Sequence, residues 1–309
     1  MDLASIDFLR PAPPVAALTA HDPDVVRAAE WLARSPDVPG ACVLGVPFAG
    51  GSISRAQCDL APAAVRVELA RYTVWSSDHG LSLEPLGVRD AGDVEAADGV
   101  EEMQLRVENV VRALLAQSDV PLVLIGGDNS VTVGATRGAQ AGALLTFDAH
   151  HDCRDPARGA TNGSPVRQLV EGGLTAVAQI GIHGFANAEP HARWAMDHRI
   201  HWVTADQVHG GGIDRALEGA LRFLGHAERI WVDFDLDVLD RAFAPGAAAA
   251  LPGGLLPANL ERAAFTLGKN PRIVGIDIAE VDPAADVGAV TVRAACSILL
   301  AFLAGVASR

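Results

Sequence analysis

Cysteine is scarce in this 309-residue chain: Cys42, Cys58, Cys153 and Cys296 are scattered, with no CxxC spacing. A disulfide framework and a thiolate zinc site are excluded by that pattern, and reduced thiols in the cytoplasm are the expected state. Basic charge is also short, with 24 Lys+Arg against 38 Asp+Glu and a formal net charge of −14. No basic stripe is left to neutralise phosphates, so no nucleic-acid partner is expected. Long apolar runs are missing too, and none approaches the roughly 18–20 residues that span a bilayer. The opening MDLASIDFLRPAPP lacks a basic region followed by an apolar stretch, so neither a membrane nor a secretory route is expected. Linkers, repeats and low-complexity tracts are absent apart from the Ala-rich loop 244–250. One domain over 1–309 is expected, with 1–39 as an N-terminal extension and first helix.

What is abundant is apolar residue, half of the chain, arranged in short runs. Candidate strands are 41–46, 81–86, 121–126, 143–149, 176–182, 199–204, 229–235 and 272–278. Helix-like segments occupy 100–117, 164–172, 187–197, 213–224, 257–268 and roughly 286–305. Continuous apolar strands alternating with helices predict a mostly parallel sheet of about eight strands, covered on both faces. In such folds ligands bind at the carboxyl ends of the strands. Four polar clusters lie at such ends: GGDNS (126–130), DAHHDCRD (148–155), DFDLDVLD (233–240) and EVDP (280–283).

In the extended stretch VDFDLDVLD (232–240), side chains alternate, so Asp233, Asp235 and Asp237 share one side. Trp231, Val232, Phe234 and Leu236 fill the intervening and flanking positions, as in a buried strand rather than a solvated acidic loop. Like-charged carboxylates there need cations to neutralise them. FDAHHDCRD (147–155) follows the same logic: Asp148, His150 and Asp152 share one side, while His151 faces the other. One imidazole and several carboxylates favour Mn2+ over Zn2+ or Cu2+. With Asp233 set aside, the four acids Asp148, Asp152, Asp235 and Asp237 balance two divalent ions, the stoichiometry of a binuclear site.

GGDNS, DAHHD, DFDLDVLDRAFAPG and GIDIAEVDP, in this order, resemble the ureohydrolase superfamily of arginases, agmatinases and formimidoylglutamases. The glycine-rich GVPFAGGSISRAQCDLAPAAVR (45–66) is similar to that family's early loop and helix, and the resemblance spans roughly 40–305. It implies a three-layer α/β/α arginase-like fold and a binuclear manganese centre whose bridging hydroxide attacks a C=N carbon. By resemblance, Asp148 and Asp235 bridge the ions, Asp152 completes one, and His150 with Asp237 completes the other. Glu280 accepts the substrate's N–H groups. Catalytic roles therefore fall to Asp148, His150, Asp235 and Glu280. Trimers or hexamers are the family's expected assemblies, and a small molecule its expected partner.

Within the superfamily, NGSP (162–165), DAHHDCR and QIGIHGFANA (179–188) look like formimidoylglutamases. These convert N-formimidoyl-L-glutamate and water to L-glutamate and formamide in histidine degradation. The resemblance brings Asn162 and Ser164 to the substrate. Arg154 shares the metal-facing parity and suits a substrate carboxylate, which arginine binds bidentately; Arg158 and Arg167 are weaker clamp candidates. A guanidino-acid amidinohydrolase or agmatinase releasing urea, and a catalytically weakened metal-binding relative, stay open.

Two departures matter. The family's usual GGDHS has a histidine ligand where this chain has Asn129. An amide oxygen is neutral but a weaker donor, so one labile ion is expected, with a one-ion site as the alternative. Asp233 stands where the family tends to have a small polar residue, either replacing a hydroxyl or remaining protonated. No shuttle histidine follows the second motif, leaving His151, His183 and Asp155 as proton-transfer candidates. Asp128 and Asp240 are expected to orient ligands by hydrogen bonding. Asp277 and Asp282 are alternatives to Glu280, and His191, His198, His201 and His209 are expected on surfaces.

Overall fold

The computed structural model describes residues 1–14, 22, 24–34, 36 and 38–309. Among them the strands are β1 (Leu9–Arg10), β2 (Ala41–Gly45), β3 (Trp75–Ser76), β4 (Leu81–Ser82), β5 (Val88–Val94), β6 (Leu122–Ile125), β7 (Ala143–Phe147), β8 (Ala176–Ile182), β9 (His201–Thr204), β10 (Ile230–Asp235) and β11 (Ile273–Ala279). The helices are α1 (Ala28–Ala33), α2 (Ala61–Glu68), α3 (Val100–Gln117), α4 (Thr132–Gly138), α5 (Pro165–Glu171), α6 (Glu189–Asp197), α7 (Ala205–Gly211), α8 (Ile213–Phe223), α9 (Pro257–Gly268) and α10 (Val290–Val306). Nine strands form one sheet in the order β1-β5-β2-β6-β11-β10-β7-β8-β9, parallel throughout except where β1 meets β5.

Every residue of β2, β6, β7 and β10 is buried, because helices cover both faces. Val123, Leu145, Val232 and Ile276 pack under α1, α2 and α7–α10 on one face. Leu44, Leu124, Leu144 and Trp231 pack under α3–α6 on the other. The result is the expected three-layer α/β/α arrangement. No helix among the described residues is long and apolar enough to cross a membrane. The four cysteines are free and buried.

The sheet departs from expectation at one edge. Segment 81–86 is not a sheet strand: Leu81–Ser82 pairs only with Trp75–Ser76, and Glu84–Leu86 is a 3-10 turn. The sheet instead takes Val88–Val94, a segment outside the candidate strands that carries Asp90 and Asp93. Arg66, 1 % exposed, resolves the conflict: Nε and Nη2 donate to Asp90 at 2.7 and 2.8 Å, and Nη1 to Asp93 at 2.6 Å. The short antiparallel β1 adds the ninth strand.

Candidate metal centre

The sheet order makes β6, β11, β10 and β7 consecutive neighbours, so four polar segments distant in sequence emerge side by side. After β6 the chain turns through Gly126 and Gly127, at φ 81° and 87°. A Cβ on Gly126 would lie 2.8 Å from Pro62 Cδ, so both backbone freedom and space require glycine there. Asp128 then caps the Asn129–Val131 turn, accepting from Ser130 N at 3.0 Å and from the early loop's Gly51 N at 2.7 Å. Asp128 thus braces this wall through Ser130 and the Gly51 backbone, and none of these bonds reaches a side chain of the two ligand groups.

Two ligand groups converge beyond these ends. Asp148, His150 and Asp237 present donor atoms within 4.8 Å of one another, as do Asp148, Asp152 and Asp235. Asp148 belongs to both, and its Oδ2 is buried without a hydrogen-bond partner. His150 Nδ1 lies 2.9 Å from Asp237 Oδ2 and 3.5 Å from Asp148 Oδ1. Burial, and then the Asp237 charge, pushes Asp148 up to about 6. Burial followed by neighbouring carboxylates holds Asp152 and Asp235 well above the usual range. Burial would lower His150, but Asp237 and Asp148 outweigh it and lift the imidazole to about 12. One imidazolium cannot balance four carboxylates, so this donor set, with its orphaned shared oxygen, fits divalent cations.

Asn129 lies against the second group: its amide is 2.8 Å from Asp152 Oδ2. Its backbone N–H donates to Glu280 Oε1 at 2.8 Å, and Asn162 Nδ2 donates to the same oxygen at 2.9 Å. Glu280 sits at φ 60°, a strained value for a non-glycine residue, and is 2 % exposed. Burial, then the charge of Asp128, raises its pKa to about 8. The Cys58 thiol lies 4.0 Å from Oε2, so Oε2 is the less occupied oxygen. Asp152, at φ 50°, is the second site residue held in the left-handed region.

Beneath the ligands runs a buried polar row. Asp277 pairs in register with Asp233, and Asp233 with Thr146. Asp277 accepts from Trp231 Nε1 and, at 2.6 Å, from Thr132 Oγ1. Burial pushes it up to about 6, with the Thr132 and Trp231 bonds opposing. Neither oxygen of Asp233 has a partner. Burial, and next the Asp277 charge, raises this acid well above the usual range.

Next to the carboxylates, a cavity of about 590 Å³ is lined by Arg154, Arg158, Arg167, His191 and Trp194. Arg167 is engaged with Glu171 at 2.7 Å and Asp155 at 3.4 Å, and its guanidinium lies over the Trp194 ring. Among the described residues no carboxylate pairs with Arg154 or Arg158.

A model of the arginase family matches residues 39–305. The chain is 34% identical over 280 residues to the formimidoylglutamase of Halalkalibacterium halodurans, covering 87% of this chain and 88% of that one. The crystal structure of formimidoylglutamase from Bacillus subtilis superposes with a TM-score of 0.89 at 30% identity, covering 95% and 96% of the two chains. A Trypanosoma cruzi formiminoglutamase, crystallised with Mn2+ as an asparagine-to-histidine variant, gives 0.85 at 26% identity, covering 93% and 99%. This chain belongs to the arginase family.

Arginase-family expectations fare unevenly in the details. Asn129, Asp148, His150, Asp152, Asp235, Asp237 and Glu280 are gathered at one place, while Arg154 stands in the adjoining cavity. Ser164 is a correction. It is fully buried, donates to Thr161 O at 2.8 Å and accepts from Thr161 N and Gln168 Nε2, so its capacity is spent inside its loop. Asn162 uses its Nδ2 on Glu280 and accepts from Ile53 N at 3.2 Å, which makes it a support for Glu280. Asp240 is a second correction: it caps backbone N–H groups of Ala242 and Gly253, at 2.9 and 2.7 Å, and orients no ligand. His191 is half-buried at the arginine cavity rather than on open surface; half-buried His201 stacks on Phe223. Asp282 organises a loop by accepting from Gln57 N and Ala284 N. The proton-transfer candidates are all engaged elsewhere: His151 with Gln179, His183 with Pro252 O, and Asp155 with Ala157 N. Thr132 and Trp231 join the site without a motif of their own, and their only signal in the sequence is their place near GGDNS and DFD.

Proposed function

We propose that the protein hydrolyses N-formimidoyl-L-glutamate to L-glutamate and formamide, with two Mn2+ ions held by the Asp148–His150–Asp237 and Asp148–Asp152–Asp235 groups. The observation that carries this reading is the meeting of a buried carboxylate cluster with a cavity whose Arg154 and Arg158 pair with no carboxylate among the described residues. An amidine end suits the first and a glutamate end the second. Formimidoylglutamases among the similar proteins support the same substrate.

When bound, manganese lowers the pKa of water and so supplies a nucleophile at neutral pH. The chain's own residues do the rest. Glu280, with Oε1 anchored by Asn129 and Asn162, offers Oε2 to the amidine N–H groups. Arg154 binds a substrate carboxylate through its planar fork, and Arg158 provides the second cation. The bond from the formimidoyl carbon to the glutamate nitrogen breaks; water oxygen becomes the formamide carbonyl, and the amine leaves with a proton. Burial of the cluster excludes bulk water and strengthens these electrostatic contacts.

The reading extends to a single-domain cytoplasmic enzyme that assembles as a homo-oligomer. Free, buried cysteines suit a reducing compartment, and light scattering tests the assembly. The decisive assay incubates the Mn2+-loaded protein with N-formimidoyl-L-glutamate and, separately, with guanidino acids and agmatine. Formamide release supports the proposal. Urea without formamide assigns an amidinohydrolase, and inertness with no Mn2+ uptake assigns a non-catalytic relative.

A further inference from the structure

The Thr132 hydroxyl stands between two groups that both count as acceptors in the assigned geometry. Its Oγ1 is 2.6 Å from Asp277 Oδ2 and 2.8 Å from Asn129 Oδ1. A hydroxyl has one proton to donate and lone pairs with which to accept, so the two contacts cannot both be donations. Asp277 has the stronger claim. Its contact is shorter, a carboxylate is the better acceptor, and its other oxygen takes the indole N–H of Trp231, a group that only donates. Thr132 is fully buried, so its hydroxyl has no solvent to turn to.

With the proton committed to Asp277, the 2.8 Å contact to Asn129 is favourable only if the amide presents its nitrogen to Thr132. Amide oxygen and nitrogen have nearly the same shape, so the exchange needs no extra room. It carries Oδ1 to the corner now 2.8 Å from Asp152 Oδ2, beside the Asp148–Asp152–Asp235 group. Two oxygens at that separation repel unless a cation lies between them, and an amide oxygen is a ligand for Mn2+ whereas an amide nitrogen is not.

We propose that Thr132 is a positioning residue for the metal centre: held by Asp277, it accepts from the Asn129 amide nitrogen and so aims Asn129 Oδ1 at the cation. This rests on the reading that Asn129 is a ligand. It means that the weak amide ligand is orientated by a hydrogen-bonded chain, Trp231–Asp277–Thr132–Asn129, reaching up from the sheet.

The test is a Mn2+ titration followed by electron paramagnetic resonance of the free ion, with ion content after dialysis as a second reading. The expected result is that Thr132→Val weakens one of two ions about ten-fold, in the range of other ligand-supporting bonds, while Thr132→Ser binds as the parent does. Asn129→His/Thr132→Val should bind as Asn129→His alone, because the imidazole does not depend on the amide's orientation. The second ion, held by His150 and Asp237, reports on folding in the same titration. Unchanged binding in Thr132→Val, with weakened binding in Asn129→Ala, overturns the role of Thr132 alone. Unchanged binding in Asn129→Ala overturns Asn129 as a ligand and the proposal with it. Loss of both ions in Thr132→Val makes Thr132 a general architectural residue and also overturns the proposal.

Discussion

The backbone N–H of Asn129 donates to Oε1 of Glu280 across 2.8 Å, between residues 151 positions apart. This bond joins the wall nearest one ligand group to the acid proposed to face the substrate. Changing the side chain at 129 leaves the bond in place, so metal affinity and substrate orientation can be varied separately.

Asn129→His is expected to tighten the more weakly held ion about ten-fold, since imidazole is a stronger donor than an amide. Metal analysis after exhaustive dialysis checks this. Retention equal to that of the parent would remove Asn129 from the ligand set.

Glu280→Gln is expected to lower kcat/KM by roughly 10- to 100-fold, the equivalent of about 1.5–3 kcal/mol for a hydrogen bond to a charged group. Mn2+ content should stay at the parental level, because Glu280 belongs to neither ligand group. A variant with full activity would end its assignment to the substrate.

Stability of the metal-stripped protein should fall as pH rises. Asp148 and Asp277 are raised to about 6 and Glu280 to about 8, against about 4 for unfolded carboxylates. The folded chain therefore binds more protons than the unfolded chain across that window, and linkage removes stability from about pH 4 through about pH 8. His150 acts in the same direction above its unfolded value of about 6.5. Mn2+ replaces the protons held by the ligands Asp148 and His150, so the rise in Tm on adding it should be larger at pH 8 than at pH 6. Melts in EDTA and in Mn2+ test the sign, and a stripped protein that gains stability toward pH 8 contradicts it.

Arg154→Ala should raise KM roughly 10- to 100-fold with little change in kcat, the equivalent of about 1.5–3 kcal/mol for a bond to a charged group. Arg154→Lys should recover only part, since an ammonium lacks the planar fork. Steady-state kinetics on N-formimidoyl-L-glutamate decides, and a kcat effect with unchanged KM would move Arg154 from binding to chemistry.

Arg66→Met should destabilise the fold by about 3–5 kcal/mol, because it strands Asp90 and Asp93 without their buried partner. Urea denaturation measures it. Combining it with Asp90→Asn and Asp93→Asn should return part of the loss.

The strand ends were legible in the sequence because apolar interleaving is a local property, but the parity count stops there: Asp148, His150 and Asp152 follow the end of β7, with Asp152 at φ 50°, and Asp237 lies in the Leu236–Val238 3-10 turn, so turn geometry rather than strand alternation gathers them. What failed to show depends on distant partners. The charges of Asp90 and Asp93 concealed β5, since the compensating Arg66 lies more than twenty residues upstream. Ser164 has the composition of a substrate contact but spends its bonds on Thr161 and Gln168, a choice made by loop closure. Thr132 meets Asp277 across 145 residues, a separation at which spacing carries no information.

The sheet order also bears on when the centre can exist during synthesis. β11 is the last strand in the chain, yet it lies between β6 and β10 in the middle of the sheet. A ribosome-bound chain that has emerged only as far as β10 still lacks the strand separating those two, and Glu280 follows that strand directly. Such long-range closure is slow relative to local structure formation. The last strand therefore acts as a keystone: β7 and β10, whose ends carry both carboxylate groups, pair with each other directly, but until β11 is inserted between β10 and β6 the Asn129 wall has no fixed distance from those carboxylates and Glu280 is not in place.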